Sequence, residues 1–267
     1  MARLIHLAAA CTALAALTLA ACGGSGSDSP PPPSPSTPTG PSAGNDTPPP
    51  TQRKTTLGVV VGNDDSAASG TYSWKGIPYA KAPVGALRWK APADMEPWTS
   101  ARAAQKFGNA CASSSRNYGP GLNNQYDATI GTSFNSTVGS EDCLFLNVWR
   151  PATPSEKLPV IVFVHGGSNI TGYTADPVYD GANLSRTANA VVVSVNYRLG
   201  VLGFLNSPHL KTGDALDDSG NFALLDLLKS LQFINKNIAS FGGDAGNVTL
   251  MGQSAGAVNV WALMTMP

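Results

Sequence analysis

The stretch LMGQSAGA, Leu250 to Ala257, constrains this chain more than any other. An apolar β-type run, NVTLMG, leads into it, and a helix-type run, AGAVNVWALM, leads out. A strand that reverses into a helix within so few residues presses backbone against backbone. Gly252 and Gly256 flank Ser254 where side chains would collide, so the turn predicts an outward serine hydroxyl. It also predicts that Ser254 sits at the positive end of a helix whose first N–H groups lack partners. In a chain with 28 glycines the spacing G-x-S-x-G is weak by itself; the strand before and the helix after give it weight. A serine hydroxyl is a poor nucleophile until a base takes its proton. The motif therefore asks where the base is.

The elements upstream suit such a turn. LPVIVFVHGG (158–167) and AVVVSVNY (190–197) are near-continuous β-branched runs, as expected of strands buried on both faces of a parallel sheet. Leu225, Leu228, Leu231, Ile234 and Ile238 recur at spacings of three and four and predict a helix, capped by Asp218 or Ser219 and stopped by FGGD. TTLGVVVG and TYSWKGIPYA predict an antiparallel hairpin region at the front. Strands alternating with helices argue an α/β fold with a mostly parallel central sheet and antiparallel N-terminal strands. After the first of the apolar strands, Gly166, Gly167 and Ser168 form a glycine-rich turn. Its backbone N–H groups, with that of Ala255, can converge on one oxyanion.

The N-terminus has a different character. Arg3 and the apolar run LIHLAAACTALAALTLAA predict an export signal over residues 1–21 rather than a membrane span. LAAC, Leu19 to Cys22, resembles a lipobox, which makes Cys22 a lipidation site and anchors the chain at a bacterial outer membrane, periplasmic face or cell surface; an ordinary secretory signal is the alternative. Residues 22–53 are rich in proline, serine and glycine, with too little to bury to repay ordering, and predict a spacer. The folded domain is expected over residues 54–267. Its cysteines, Cys111 and Cys143, are an even pair in an exported chain, which favours a disulfide. Neither a CxxC spacing nor a nearby histidine suggests a metal. Seventeen basic and seventeen acidic side chains cancel, so nothing in the charge points to nucleic acid.

GIPYAKAPVGALRWKAP (76–92), EDCLFLNVW (141–149), VFVHGG, YDGANL, VVVSVNYRLGVLGFL (191–205) and GNFALLDLLKSLQFINKNIASFGGDAGNVTLMGQSAGA (220–257) occur in this order. Together they resemble the N-terminal half of the carboxylesterase type B family, the cholinesterase-like and para-nitrobenzyl-esterase-like α/β hydrolases. The resemblance implies an α/β-hydrolase fold and a serine esterase working through an acyl-enzyme, without metal or organic cofactor, on small-molecule esters. It implies Ser254 as nucleophile and Gly167, Ser168 and Ala255 as oxyanion donors. It also implies a Cys111–Cys143 disulfide and two buried ion pairs, Arg88 with Glu141 and Arg198 with Asp226. The sequence departs from the family pattern at Gln253, where glutamate is usual, at Ser168, where glycine or alanine is usual, and at Asn169, where an aromatic is common.

Three histidines are present: His6, His165 and His209. His6 lies in the signal, His165 opens the glycine turn, and His209 falls in a loop. In this fold the triad runs serine, acid, histidine along the chain. The base and the acid are therefore expected beyond Pro267, and the chain is expected to be part of a larger esterase, inactive on its own. Two other functions fit less of the sequence: a binding or adhesion module on the same fold, which would have no use for Ser254, and a solute-binding lipoprotein, which would have no use for the two turns.

Overall fold

The structure, a computed structural model, describes residues 49–266. The expected signal, Cys22 and most of the spacer lie outside the described residues. The first strands among the described residues are β1 (Gln52–Thr55) and β2 (Gly58–Val61), the hairpin that TTLGVVVG predicted. Next, β3 (Asn63–Asp65) passes through the single turn α1 (Ser66–Ser69) into β4 (Thr71–Pro78). The long loops that follow carry only two-residue strands. Of these, β5 (Arg102–Ala103) extends the β1–β2 sheet, and β6 (Ser113–Ser114) pairs with β7 (Thr137–Val138). Strands and helices then alternate: β8 (Phe145–Pro151), β9 (Leu158–Val164), α2 (Ala182–Ala188), β10 (Val191–Val195), α3 (Gly200–Phe204), α4 (Phe222–Asn237), β11 (Gly243–Gly252) and α5 (Ala255–Met264).

The main sheet has the order β11-β9-β10-β8-β4-β3. Only β10–β9 and β9–β11 pair in parallel; β10–β8, β8–β4 and β4–β3 are antiparallel, so the described sheet is mixed rather than mostly parallel. The apolar run of β8 is buried at every position, like that of β10. Burial on both faces fixes composition but not direction, which is why FLNVWRP gave no sign of running antiparallel. Trp74 of β4 is fully buried, meets the Phe241 ring edge-on at 5.0 Å and donates from Nε1 to the Thr51 carbonyl. Cys111 and Cys143 form the disulfide, with Cα atoms 4.9 Å apart. Closing that loop of 32 residues contributes about 4 kcal/mol in the chain-entropy account.

Helix α4 lies where its periodicity put it, with two corrections. Its N-cap is Asn221, without a capping side-chain bond. Asp218 instead accepts the Thr212 and Gly213 amides within the preceding loop, and Ser219 Oγ accepts the Asn221 amide. The buried face runs through Ala223, Leu227, Ser230, Phe233 and Ile234, while Leu228 is exposed. Its bulky members, Leu227, Phe233 and Ile234, each contribute about 1.5–3 kcal/mol by burial. The stop is as expected: a 3₁₀ turn, Ile238–Phe241, ends at Gly242 with φ +80°.

β11 forms one edge of the sheet, and α5 behind it presents Val258, Trp261 and Met264 at 65%, 71% and 72% exposure. An open strand edge beside an exposed apolar helix face is an association hazard. At micromolar concentration the 267-residue chain is expected to self-associate, and the variant Val258→Glu, Trp261→Lys, Met264→Glu to stay monomeric by light scattering. A monodisperse wild-type chain would contradict this.

Candidate active site

Register brings the two predicted turns together. Gly252, the last residue of β11, pairs with Val164, the last of β9, and Val195 of β10 pairs with the same Val164 on the other side. The chain therefore leaves adjacent strands at one level, as His165-Gly166-Gly167 from β9 and Gln253-Ser254 from β11. The Gln253 amide donates to the Val164 carbonyl and locks the start of the turn. A Cβ built on Gly166 would lie 2.2 Å from Gln253 Oε1 and 3.0 Å from Ser254 Cβ, and one on Gly256 would lie 2.2 Å from the Val164 carbonyl oxygen. Glycine at both positions is thus a steric requirement of the approach.

Ser254 is exposed and has φ +52° and ψ −122°. A non-glycine residue held there stores about 1–3 kcal/mol. It occupies the N-cap of α5 without a capping bond from its own side chain, so the hydroxyl is left for other partners. The helix bonds begin with Gly256 N–H to the Gln253 carbonyl and Ala257 N–H to the Ser254 carbonyl, which leaves the Ala255 amide as the first free donor of α5. On the other turn, Gly167, Ser168 and Asn169 have φ of +111°, +56° and +58°. That curl lets the Gly167 carbonyl accept from both Ile170 and Thr171. Ser168 is exposed, so its side chain is not wedged into the turn.

Neither described histidine bonds the Ser254 hydroxyl. His165 is buried, stacks on Tyr197 at 4.5 Å, and its Nδ1–H donates to the Gly166 carbonyl at 2.8 Å. Its Nε2 is buried without a partner among the described residues. Burial pushes the ring down to about 4, the Gly166 bond opposing only in part. His209 is exposed in a 3₁₀ turn and bonds only through its backbone amide, to Ser207. A ring that stays neutral when folded but binds a proton near pH 6.5 when unfolded stabilises the fold at neutral pH. That stability falls as pH drops from 6.5 toward 4, with about 2 kcal/mol lost by pH 5. Urea unfolding at pH 7 and pH 5 should show this loss in the wild type and not in His165→Phe; equal pH dependence would refute it.

The two implied ion pairs differ. Arg198 and Asp226 are buried, with Arg198 Nε and Nη2 at 2.8 and 2.7 Å from the two carboxylate oxygens and the Arg198 amide at 3.1 Å. Arg88 and Glu141 also pair bidentately, at 2.5 and 2.6 Å, but their side chains are 39% and 26% exposed, so this pair is not buried. Water screens it, so it adds little to stability. Both carry on in long loops at the surface, which sequence position alone did not reveal.

Two contacts had no sequence signal. Tyr179 donates from its hydroxyl to Gln253 Oε1 at 3.3 Å. The side-chain amides of Asn169 and Asn259 bond each other reciprocally, at 3.2 and 2.8 Å across ninety positions of sequence. Next to the turn, Ser168, Asn169, Ile170, Gly200, Val201, Phe204 and Leu205 line a shallow, mainly apolar groove. Among the described residues no group of His, Cys, Asp or Glu is arranged to hold a metal, and no helix is long and apolar enough to cross a membrane.

Residues 49–267 match the carboxylesterase family. The chain is 41% identical over 201 residues to the para-nitrobenzyl esterase of Bacillus subtilis (strain 168), covering 74% of this chain and 38% of that protein. It is 40% identical over 185 residues to the cholinesterase of Mus musculus, covering 69% and 29%. It is 40% identical over 193 residues to the fumonisin B1 esterase of Sphingopyxis macrogoltabida, covering 72% and 33%. Among solved structures, a thermophilic PNB esterase aligns with a TM-score of 0.70 at 38% identity, over 81% of this chain and 41% of that one. The chain thus spans well under half the length of these relatives. From the elbow at Ser254 to the front hairpin, it is a member of the carboxylesterase family with the α/β-hydrolase fold.

Proposed function

We propose that this chain carries the nucleophile and the oxyanion donors of a serine carboxylic ester hydrolase. Ser254 attacks the ester carbonyl, and the amides of Gly167, Ser168 and Ala255 take the developing oxyanion. The alcohol leaves with a proton from the base, and water then releases the acid from the acyl-enzyme. The observation that carries this reading is the in-register exit of the two turns, which brings Gly166 against Ser254. The apolar groove beside Ser168 suits an alkyl or aryl part of a small ester. Neither His165 nor His209 is the base: one is buried and bonded to Gly166, the other is exposed in a surface loop. We assign the base and the acid to sequence outside the described residues. Residues 1–21 serve as export signal, Cys22 as lipid attachment point, and the stretch to residue 53 as spacer, its last residues entering β1.

The test is covalent. The protein expressed from its natural locus, with whatever follows the Pro267 codon, is treated with a fluorophosphonate. A phosphonyl adduct on Ser254 by peptide mass spectrometry is expected. A folded protein without that adduct would favour the binding-module reading. Ester turnover by the 267-residue chain that is lost in Ser254→Ala would overturn the assignment of the base.

A further inference from the structure

The reciprocal amide pair has a position that no packing role requires. Asn169 belongs to the glycine turn and Asn259 to the second turn of α5, the helix that Ser254 caps. Asn259 is buried, and both of its amide functions are used on Asn169. The Tyr197 hydroxyl donates to the His165 carbonyl at 2.7 Å and lies 3.3 Å from Asn169 Oδ1. The Asn169 carbonyl accepts the Gly200 amide at 2.6 Å. Asn169 is therefore held from α5, from the segment after β10 and from the start of α3. Its φ of +58° is a conformation asparagine adopts more readily than most side chains.

From this geometry we infer that Asn169 and Asn259 are positioning residues, a brace that fixes the distance between the oxyanion turn and the nucleophile helix. The inference rests on the hydrolase reading for its catalytic consequence. Oxyanion donors act only within about 2.7–3.1 Å of the developing charge, and a displacement on the order of 1 Å costs about 100-fold. An amide pair bonded in both directions is a stiff spacer, because breaking it leaves the buried Asn259 amide without partners. Asn259 is buried and does not line the groove beside Ser168, so its loss lowers kcat and leaves KM almost unchanged.

The experiment uses Asn259→Ala and Asn169→Gly, which remove the pair while favouring the local backbone, helical at 259 and left-handed at 169. Backbone hydrogen exchange at Ile170 and Thr171, both bonded to the Gly167 carbonyl, is expected to quicken about 10-fold or more in either variant. Val162 and Val193 in the sheet should keep wild-type rates. In the natural-locus protein Asn259→Ala is expected to lower kcat about 10–100-fold with KM within about 2-fold. Asn169→Asp keeps an acceptor for the Asn259 amide and should recover most of both effects. Unchanged exchange in both variants overturns the brace, as does a loss carried by KM in Asn259→Ala, or an exchange increase spread equally through β9 and β10. A wild-type protein with no Ser254 adduct refutes the hydrolase reading instead, and the exchange rates still decide the brace.

Discussion

Ser254→Ala is expected to abolish the fluorophosphonate adduct and to lower ester turnover of the natural-locus protein about ten-thousand-fold or more. The remaining rate would come from the oxyanion amides, which are backbone groups and survive the substitution. Stability should hardly change, because the Ser254 side chain makes no capping bond and is exposed. Alanine at φ +52° inherits the same strain. Glycine does not, so Ser254→Gly should be inactive and more stable than the wild type by about 1 kcal/mol or more. That pairing of lost activity with gained stability is the signature of a residue kept against its backbone preference. A Ser254→Ala protein that still turned over ester, measured against a buffer blank by kcat/KM, would remove the serine from the mechanism.

Much of this site was written locally. G-x-S-x-G after NVTLMG, and HGG after LPVIVFV, each describe a strand end and the turn that follows, and neighbouring residues decide both. Close-approach glycines are legible for the same reason: a Cβ at 166 or 256 has nowhere to go. What was not legible depends on partners far along the chain. Strand direction in β8 is set by which neighbour it meets, not by its own apolar run. Exposure of the Arg88–Glu141 pair depends on how two loops cross. Leu228 fits the helical spacing but is exposed, because the buried face of α4 runs instead through Ala223, Leu227, Ser230, Phe233 and Ile234. The Asn169–Asn259 pair is the extreme case: two polar residues at ordinary positions, joined only by the register of β9 and β11. In sequence Asn169 showed only as a missing aromatic, with no hint of its partner.

Removal of either member of the Arg198–Asp226 pair is expected to be among the most destabilising single changes in the chain. Asp226 has no exposed surface and Arg198 has 3%. The carboxylate takes three donors from Arg198, while Nη1 of the same guanidinium donates to the Lys90 carbonyl at 2.9 Å. Every polar contact is thus satisfied, and Asp226→Ala leaves a buried guanidinium facing a hole. Such a change costs about 3–5 kcal/mol, a large fraction of what holds a domain folded. The pair also fixes the chain just after β10 to α4, and Tyr197, the residue before Arg198, is the ring on which His165 stacks. Loosening it therefore reaches the glycine turn as well as the core. The pair nevertheless owes its effect to the charge left behind, since ionic groups gain little over apolar ones in a buried site. The double variant Arg198→Met, Asp226→Leu should accordingly recover most of the loss seen in Asp226→Ala. Urea titrations of the three proteins test this: if the double variant is as unstable as the sum of the two single ones, the uncompensated charge is not the cause.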